Sequence, residues 1–217
     1  MSNPVEVRLV TSNSFPSGTG SFSYKGEFEL VVQNLAFQKQ VAVRGSTPGS
    51  SVWTDHFASF HESLPDGREL WKLTTGDELL EFAANYSVLG TTFWDNNAGA
   101  NYKQPQVFDE FDAELGRAPA VVAAQFGFSD ATHMRLLVAL KNLAFAKQVG
   151  IVFTTDAWSS SHVAQLNFDH SLKSGNEVWS GTVTVGTTKR VDFAAFYRVA
   201  GQEFWDNNFS RNYVLTR

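Results

Sequence analysis

The sequence predicts an all-β protein built from two antiparallel β-sandwiches in tandem. Its 217 residues contain one long internal repeat, at an offset of 108 to 111 residues. Each repeat is a series of short runs rich in Phe, Val, Thr, Trp and Tyr, and no run of eleven or more residues shows the 3.6-residue periodicity of a helix. Seven or eight such runs in about 100 residues are typical of an antiparallel sandwich.

The repeat consists of three blocks in the same order. VVQNLAFQKQVAV from Val31 matches ALKNLAFAKQVGI from Ala139, ELWKLTT from Glu69 matches EVWSGTV from Glu177, and EFAANYSVLGTTFWDNNAGANY from Glu81 matches DFAAFYRVAGQEFWDNNFSRNY from Asp192. We therefore predict one domain over residues 1–105 and another over residues 119–217. Residues 106–118 are predicted to be a solvated acidic linker, because four acids fall between positions 109 and 114 and Gly116 and Pro119 follow.

The strands follow from turn signals between β-favouring runs. In the first half, EFELVVQNLAF and QVAVRGS surround a short break, HFASFHES and ELWKLTT flank Leu-Pro-Asp-Gly, and EFAANYSV and TTFWD flank Leu-Gly. The Trp-Asp-Asn-Asn block comes directly after the last strand pair. It is therefore expected to form a loop at one end of each sandwich.

Composition argues against several classes of function. The formal net charge is -5 and no cluster of Lys or Arg could follow a phosphate backbone, so nucleic acid is not an expected partner. The chain has no Cys, and its five His fall at no metal-binding spacing. No stretch approaches the ~18 apolar residues of a membrane helix, and the start does not read as a secretory signal. We expect a cytoplasmic protein, or one exported by a route that needs no signal peptide, without a membrane span, metal site or cofactor; the oligomeric state stays open.

The repeated motif is FWDNNAGANY at residues 93–102 and FWDNNFSRNY at residues 204–213. A sugar ring offers an apolar C–H face and a rim of hydroxyls, which an indole and carboxamides can contact by stacking and by both donating and accepting hydrogen bonds. Alternatively, the Asp and Asn side chains only hold a turn and the Trp belongs to the core. The candidate carbohydrate-binding residues are Trp94, Asp95, Asn96 and Asn101 in the first copy and Trp205, Asp206, Asn207 and Asn212 in the second.

Further aromatic residues repeat between the halves. Trp53 and Trp158 follow the same strand in loops rich in Ser, Thr and Asp, and we add them to the two candidate sites. Trp71 and Trp179 lie in mid-strand and are assigned to the core. The repeated Asn-Leu-Ala-Phe segments indicate either a strand-turn-strand hinge or a secondary carbohydrate patch, which would contain Phe37, Lys39, Phe145 and Lys147.

The order of these motifs resembles carbohydrate-binding module family 21, which includes the starch-binding domain of fungal glucoamylase and the glycogen-targeting domain of phosphatase 1 regulatory subunits. The resemblance covers about 100 residues in each half. It implies an immunoglobulin-like β-sandwich that binds α-glucan without hydrolysing it, with the tryptophans and asparagines named above as contacts. The starch-binding modules carry a further Tyr where this chain has Ala83 and Ala194, whereas the glycogen-targeting subunits also have Ala there.

The sequence thus predicts a non-catalytic, bivalent carbohydrate-binding protein, similar in plan to the cytosolic lectins of fungi, that cross-links an α-glucan or another glycan. The alternative is a glycogen-targeting scaffold subunit that holds a phosphatase or glycogen enzyme on α-glucan. RVDF at Arg190–Phe193 fits a phosphatase 1 docking pattern. Because it falls within a predicted paired strand, we interpret it as a chance match.

Overall fold

A computed structural model describes residues 3–16, 22–105 and 112–217. The chain divides into two compact units, Met1–Ala118 and Pro119–Arg217. In the described ranges the secondary structure is β-strand apart from one 3-10 turn, and the prediction of an all-β chain of tandem β-sandwiches is confirmed. None of the described residues belongs to a helix long and apolar enough to cross a membrane.

The described residues of the first unit form nine strands in two antiparallel sheets. The strands are β1 (Val5–Pro16), β2 (Phe22–Gln33), β3 (Lys39–Ser46), β4 (Trp53–Phe57), β5 (Ser59–Ser63), β6 (Arg68–Thr75), β7 (Glu81–Val88), β8 (Thr91–Asp95) and β9 (Asp112–Leu115), with a 3-10 turn at Asn97–Gly99. One sheet has the order β5-β6-β2-β1-β9 and the other β4-β3-β7-β8.

The second unit repeats this plan. Its strands are β10 (Val121–Phe128), β11 (His133–Leu140), β12 (Lys147–Thr154), β13 (His162–Gln165), β14 (Asn167–Ser171), β15 (Glu177–Thr184), β16 (Arg190–Val199), β17 (Gln202–Asp206) and β18 (Tyr213–Thr216). The sheet orders are β10-β11-β15-β14 and β13-β12-β16-β17, and β18 also pairs with β16. The internal repeat of the sequence is therefore a repeat of structure.

Alternation along β7 gives its sheet an inner and an outer face. Phe82, Ala84 and Tyr86 are fully buried in the core between the two sheets, whereas the intervening Ala83 and Asn85 point to the outer face. In the second unit the core positions of β16 are Phe193, Ala195 and Tyr197. The outer face of this sheet is the surface on which Trp94 and Trp205 lie, because each stands opposite an outward residue of the neighbouring strand.

The predicted acidic linker contains a strand. β9 pairs with β1, from Leu9 opposite Leu115 to Ser12 opposite Asp112. A Cβ on Gly116 would lie 1.4 Å from the Val7 carbonyl oxygen, so only glycine fits there. The alternation of polar and apolar residues in Asp-Ala-Glu-Leu could have indicated this strand, but its two acidic residues favoured a linker. Residues 112–115 thus belong to the first unit and are not a solvated connector; residues 106–111 lie outside the described ranges.

One outward position of the second unit is filled by an aromatic ring. Phe196 lies across Gly150, where a Cβ would be 2.6 Å from the ring and 2.5 Å from the Ala164 carbonyl oxygen. The first unit has Ala42 and Asn85 at these two positions. The larger side chain of the second unit, Phe196, is therefore accommodated by the smaller residue, Gly150, on the paired strand.

This packing predicts the effect of adding one methyl group. Gly150→Ala should lower the free energy of unfolding of the second unit by about 2 kcal/mol, because the ring cannot move without repacking. Adding Phe196→Asn, which restores the pair found in the first unit, should recover about half of that loss. Hydrogen exchange of β12 and β16 amides measures both effects, and unchanged protection in Gly150→Ala would contradict the prediction.

Candidate functional site

The repeated motif forms a loop that bulges from the edge of a sheet. β8 ends at Asp95 opposite Ala84, and Tyr102 returns opposite Phe82, with two backbone hydrogen bonds of 2.8 Å between Tyr102 and Phe82. The second unit does the same with Asp206 opposite Ala195 and Tyr213 opposite Phe193. We call residues 96–101 and 207–212 the motif loops. Both are closed by a backbone hydrogen bond, Asn101 N to Asn96 O at 2.8 Å and Asn212 N to Asn207 O at 2.7 Å.

The Asp of the motif anchors the loop inside the protein. Asp95 is 4% exposed, and its carboxylate accepts hydrogen bonds from the Val7 amide at 2.8 Å and from the Tyr102 hydroxyl at 3.1 Å. Burial, and then the neighbouring carboxylate, raise the pKa of the Tyr102 hydroxyl, which keeps it protonated as the donor. Asp95 thus lies apart from the surface on which the sequence interpretation placed it, and we assign it a structural role.

The second unit repeats this anchor. Asp206 is buried and accepts from the Ala123 amide at 2.8 Å and from the Tyr213 hydroxyl at 2.6 Å. The carboxylate therefore ties the loop to β10, as Asp95 ties its loop to β1. Asp206, like Asp95, is reassigned from sugar contact to support of the loop.

The second Asn of each motif shapes the backbone. Asn97 and Asn101 have φ of 52° and 53°, in the left-handed region that Asn tolerates better than most residues. The Asn97 Nδ2 donates to the Asn101 carbonyl oxygen at 3.1 Å, and Asn208 makes the same bond to Asn212 at 3.1 Å. The turn-holding explanation is therefore correct for these residues.

The remaining polar groups of the motif face outward. The Asn96 Oδ1 caps the 3-10 turn by accepting from the Gly99 amide at 3.0 Å, and Asn207 accepts from Ser210 at 2.9 Å. Within the described ranges, the Nδ2 groups of both residues and the whole carboxamides of Asn101 and Asn212 have no partner in the protein.

The tryptophan of each motif completes this surface. Trp94 is 45% exposed and Trp205 is 44% exposed, each on the edge strand beside its loop. Each unit therefore presents an indole and two carboxamides with free hydrogen-bonding capacity. Such a set can stack on an apolar sugar face and exchange hydrogen bonds with hydroxyls.

The other pair of predicted site tryptophans is not equivalent in structure. Trp53 begins β4, opposite Ser46, and is half-buried on the same outer face as Trp94. Trp158 lies in the loop after β12, three residues before the position that matches Trp53, and it is 42% exposed. The two sites therefore share the motif tryptophan but hold their second indole differently.

Asp156 fixes the loop that carries Trp158. Its carboxylate accepts from the Ser160 amide at 2.9 Å, the Ser160 hydroxyl at 2.7 Å and the Thr154 hydroxyl at 2.7 Å. These bonds, the Ser160 amide first, lower the pKa of Asp156 to about 2. The same Thr154 hydroxyl oxygen accepts from the Trp158 amide at 3.1 Å, so the backbone that carries the Trp158 indole is held in place.

The sequence model described as carbohydrate/starch-binding module (family 21) matches residues 25–104 and 118–216. The chain belongs to this family. Each unit is accordingly one family 21 module, and the resemblance inferred from the motifs is confirmed.

The curated relatives are longer proteins. The chain is 32% identical over 84 residues to protein phosphatase 1 regulatory subunit 3C of Bos taurus, covering 36% of this chain and 26% of that protein. It is 31% identical over 82 residues to glycogen-binding subunit 76A of Drosophila melanogaster (36% and 12%), and 34% identical over 86 residues to protein phosphatase 1 regulatory subunit 3B of Rattus norvegicus (37% and 30%). It thus spans less than a third of each.

Two solved structures resemble part of the chain. The starch-binding domain of Rhizopus oryzae glucoamylase, in complex with β-cyclodextrin and maltoheptaose, matches with a TM-score of 0.39 and 21% identity, covering 46% of this chain and 95% of that one. The carbohydrate-binding module of the muscle glycogen-targeting subunit of protein phosphatase 1 matches with a TM-score of 0.39 and 20% identity, covering 45% and 75%.

The predicted secondary patch of each module separates into an exposed ring and a buried cation. Phe37 is 98% exposed and Phe145 is 100% exposed. The Lys39 side chain, in contrast, is 4% exposed and forms an ion pair with Glu69 at 2.8 Å, and Lys147 pairs with Glu177 at 2.8 Å. The lysines therefore join the two sheets of each module and do not line a free surface, unlike the expectation from sequence.

This patch lies far from the motif loop. β3 runs from Lys39, beside Phe37, to Ser46 near the loop end, a distance of about 23 Å for eight residues.

The mid-strand tryptophans, Trp71 and Trp179, were assigned to the core from sequence. They are half-buried against the hydrophobic core, and they donate their indole N–H groups to Glu69 and Glu177 at 2.9 and 2.8 Å. The two acids repeat between the halves of the sequence, and that signal could have revealed their structural role.

The buried ion pair predicts a stability loss. Lys39→Met keeps the aliphatic stem but leaves the Glu69 carboxylate buried with the Trp71 indole as its one remaining partner in the described part of the chain, so the free energy of unfolding of the first module should fall by about 3 kcal/mol. Lys25→Met is the matched control, because its pair with Glu27 is exposed and should contribute less than about 0.5 kcal/mol. Urea unfolding compares the two variants, and equal losses would contradict the prediction.

Proposed function

We propose that the chain is a non-catalytic protein that binds α-glucan or a related glycan through one site in each module. The observation that carries this proposal is that each motif places an exposed indole beside one Asn Nδ2 group and one whole Asn carboxamide that have no partner among the described residues. The contact residues proposed are Trp53, Trp94, Asn96 and Asn101 in the first module and Trp158, Trp205, Asn207 and Asn212 in the second. A cytoplasmic location is part of the proposal.

Binding in such a site divides between two kinds of contact. The indole packs on the C–H face of a sugar ring, and the carboxamides replace water around the hydroxyls. Because the buried Asp, the second Asn and the Tyr of each motif already fix the loop, little conformational entropy is lost on binding. A single site still binds weakly, because each hydroxyl must exchange hydrogen bonds with water for comparable bonds with the protein.

Two sites in one chain compensate for this weakness. Once one module is bound to a polymeric glycan, the second binding event becomes intramolecular, which can raise the apparent affinity by ~100-fold or more when both sites are engaged. A chain that engages two glycan molecules instead would cross-link them. This is the lectin-like activity that we propose.

The chemistry of the motif favours binding over hydrolysis. Glycoside hydrolysis normally needs two carboxyl groups that flank the scissile bond. The single carboxylate of each motif, Asp95 or Asp206, is buried and occupied by hydrogen bonds from the protein. Neither motif loop therefore offers a carboxyl group to a bound sugar.

A second candidate function is a targeting subunit that holds an enzyme on glycogen. It is favoured by the relatives, several of which are named as phosphatase 1 regulatory subunits. The Arg190–Phe193 segment does not supply the docking site, because it lies in β16 between β12 and β18, with Val191 and Phe193 fully buried. A phosphatase would need another surface, and pull-down of a phosphatase with the intact chain on glycogen beads is the discriminating test.

A glycan array with the intact chain tests the main proposal. We expect binding to α-glucans or to a related glycan class, together with agglutination of particles coated with the same glycan. Binding to no glycan would overturn the proposal. Binding without agglutination would overturn cross-linking alone.

A further inference from the structure

The Trp205 indole stands beside an arginine–glutamate pair on the outer face of its sheet. Arg198 on β16 stands opposite Glu203 on β17, and the Arg198 Nε donates to the Glu203 carboxylate. The Trp205 indole N–H donates to the other oxygen of that carboxylate at 2.6 Å. The pair lies two residues along the strands from Phe196 and Trp205, a distance of about 7 Å. A glycan stacked on Trp205 can therefore bring its next ring over the pair.

A buried ring holds this pair in place. Phe196 is fully buried, with the Trp205 ring centroid 5.7 Å from its own and the Arg198 guanidinium 4.4 Å over its ring. Gly150 makes room for the Phe196 ring on the paired strand. The cation–π contact and the charge-assisted hydrogen bond both restrict the guanidinium. Because these groups are fixed before a ligand arrives, little side-chain entropy is lost on binding.

The pair keeps hydrogen-bonding capacity for a ligand. The side chains of Arg198 and Glu203 are 44% and 41% exposed. In the part of the chain that the structure describes, no acceptor takes the two Nη groups of Arg198, and the exposed Gln148 carboxamide, opposite Arg198 on β12, has no partner. We call Gln148, Arg198 and Glu203 the polar row. The row lines a shallow depression of about 630 Å³ that ends at the turn of Ala200 and Gly201, a volume suited to a small ligand.

The first module has no such row. Its positions equivalent to the arginine and the glutamate hold Ser87 and Thr92, whose hydroxyls hydrogen-bond to each other at 2.8 Å. Asn85 takes the place of the Phe196 ring. The turn that follows carries the exposed Leu89 side chain. The two modules therefore share the motif loop but differ in the surface next to the motif tryptophan.

We propose that the polar row is an additional sugar-binding subsite, through which the second module binds longer glycan chains more tightly than the first module does. Its ligand is an uncharged hexose residue linked to the residue that stacks on Trp205. Planar guanidinium, carboxylate and carboxamide groups can each pair with two neighbouring hydroxyls. Because the glutamate neutralises the arginine, the row does not favour an anionic sugar. This inference rests on the proposed function.

Two single-site variants test the dependence on chain length. Trp94→Ala leaves the second site, and Trp205→Ala leaves the first. Each is titrated with methyl α-D-glucopyranoside and with maltotriose, or with the monosaccharide and trisaccharide of another glycan that the array selects, and affinities are taken from chemical-shift changes in NMR spectra. We expect the ratio of three-ring to one-ring affinity to be about tenfold larger in Trp94→Ala, the effect of one or two additional hydrogen bonds. The Arg198 Nε–H signal should shift with the three-ring ligand alone.

Exchange of the pair provides the causal test. Arg198→Ser/Glu203→Thr, added to Trp94→Ala, installs the residues of the first module and should reduce the affinity ratio to that of the first site. Arg198→Lys keeps the charge but loses the planar fork, and it should lose most of the same gain. Arg135→Ser is the matched control, because it removes an exposed arginine of β11, in the other sheet, and should leave the ratio unchanged.

The outcomes separate the subsite from the proposed function. If both single-site variants bind with the same affinity ratio, or if the exchange weakens both ligands equally or weakens neither, the subsite is overturned while the proposed function stands. Binding of no glycan, in solution or on the array, would overturn the proposed function and the subsite with it.

Discussion

Replacing Asp95 with alanine should lower the free energy of unfolding of the first module by about 4 kcal/mol. The change removes a buried carboxylate that accepts from the Val7 amide and the Tyr102 hydroxyl, and it leaves both donors buried without a partner. The loop also loses its link to β1. Hydrogen exchange followed by mass spectrometry measures the loss in β1, β7 and β8 separately from the second module, which serves as an internal control.

A surface aspartate provides the matched variant. Asp77→Ala removes a carboxylate whose side chain is 63% exposed, and it should change the free energy of unfolding by less than about 0.5 kcal/mol. If Asp95→Ala behaved like Asp77→Ala in stability and yet lost glycan binding, Asp95 would contact the sugar directly. That result would restore the role that the sequence suggested and contradict the structural one.

Loss of a single motif tryptophan should weaken retention on a polymeric glycan by ~100-fold. Trp94→Ala removes the stacking surface of one site, so the chain can no longer gain from the effective concentration of a second tethered site. The affinity of the remaining site for a short oligosaccharide should not change. Sedimentation with insoluble glucan measures the first quantity, and calorimetric titration measures the second.

An exposed apolar side chain outside the loop controls for this change. Leu89 is 76% exposed and lies in the turn at the other end of β7 and β8, so Leu89→Ala should leave retention unchanged. Agglutination that persists in Trp94→Ala at wild-type concentration would show that cross-linking does not depend on two sites in one chain.

The repeat was readable from sequence because duplication preserves the order of turns and strands. The position of the motif loop followed from its place after the last strand pair, since β8 and β17 both end at the Asp of the motif. β9 was missed because two of its four residues are acidic, and burial of Asp112 depends on a partner strand 100 to 106 residues away in sequence.

The separate roles of the motif residues could not be predicted from the sequence. Asp95, Asn96 and Asn97 are consecutive polar residues, but one is buried, one caps a turn while keeping its amide outward, and one holds a left-handed backbone. The role of each asparagine depends on the residue at which the chain stops pairing with β7. The burial of Lys39 was equally hidden, because its partner Glu69 lies on the facing sheet.

The difference between the two outer faces is visible only once strand register is known. Arg44, Asp55 and Asn85 are scattered over 42 residues of sequence, and Val152, Val163 and Phe196 are scattered likewise. Pairing of β4, β3 and β7 brings the first set together, and pairing of β13, β12 and β16 brings the second together. Comparison of the two modules then shows that the three substitutions fall on one face of the sheet, on which Val163 is exposed and Phe196 is buried.

Titration of the intact chain with a short oligosaccharide, of a class found on the array, tests the two-site account most directly. A Phe37→Ala/Phe145→Ala background removes the exposed rings of the secondary patches, so that of the candidate sites only the two that contain the motif tryptophans remain. We predict two oligosaccharides per chain in this background, one after Trp94→Ala or Trp205→Ala, and none after both. Saturable binding of two molecules in the variant that lacks both motif tryptophans would contradict the assignment of the sites to the motif loops.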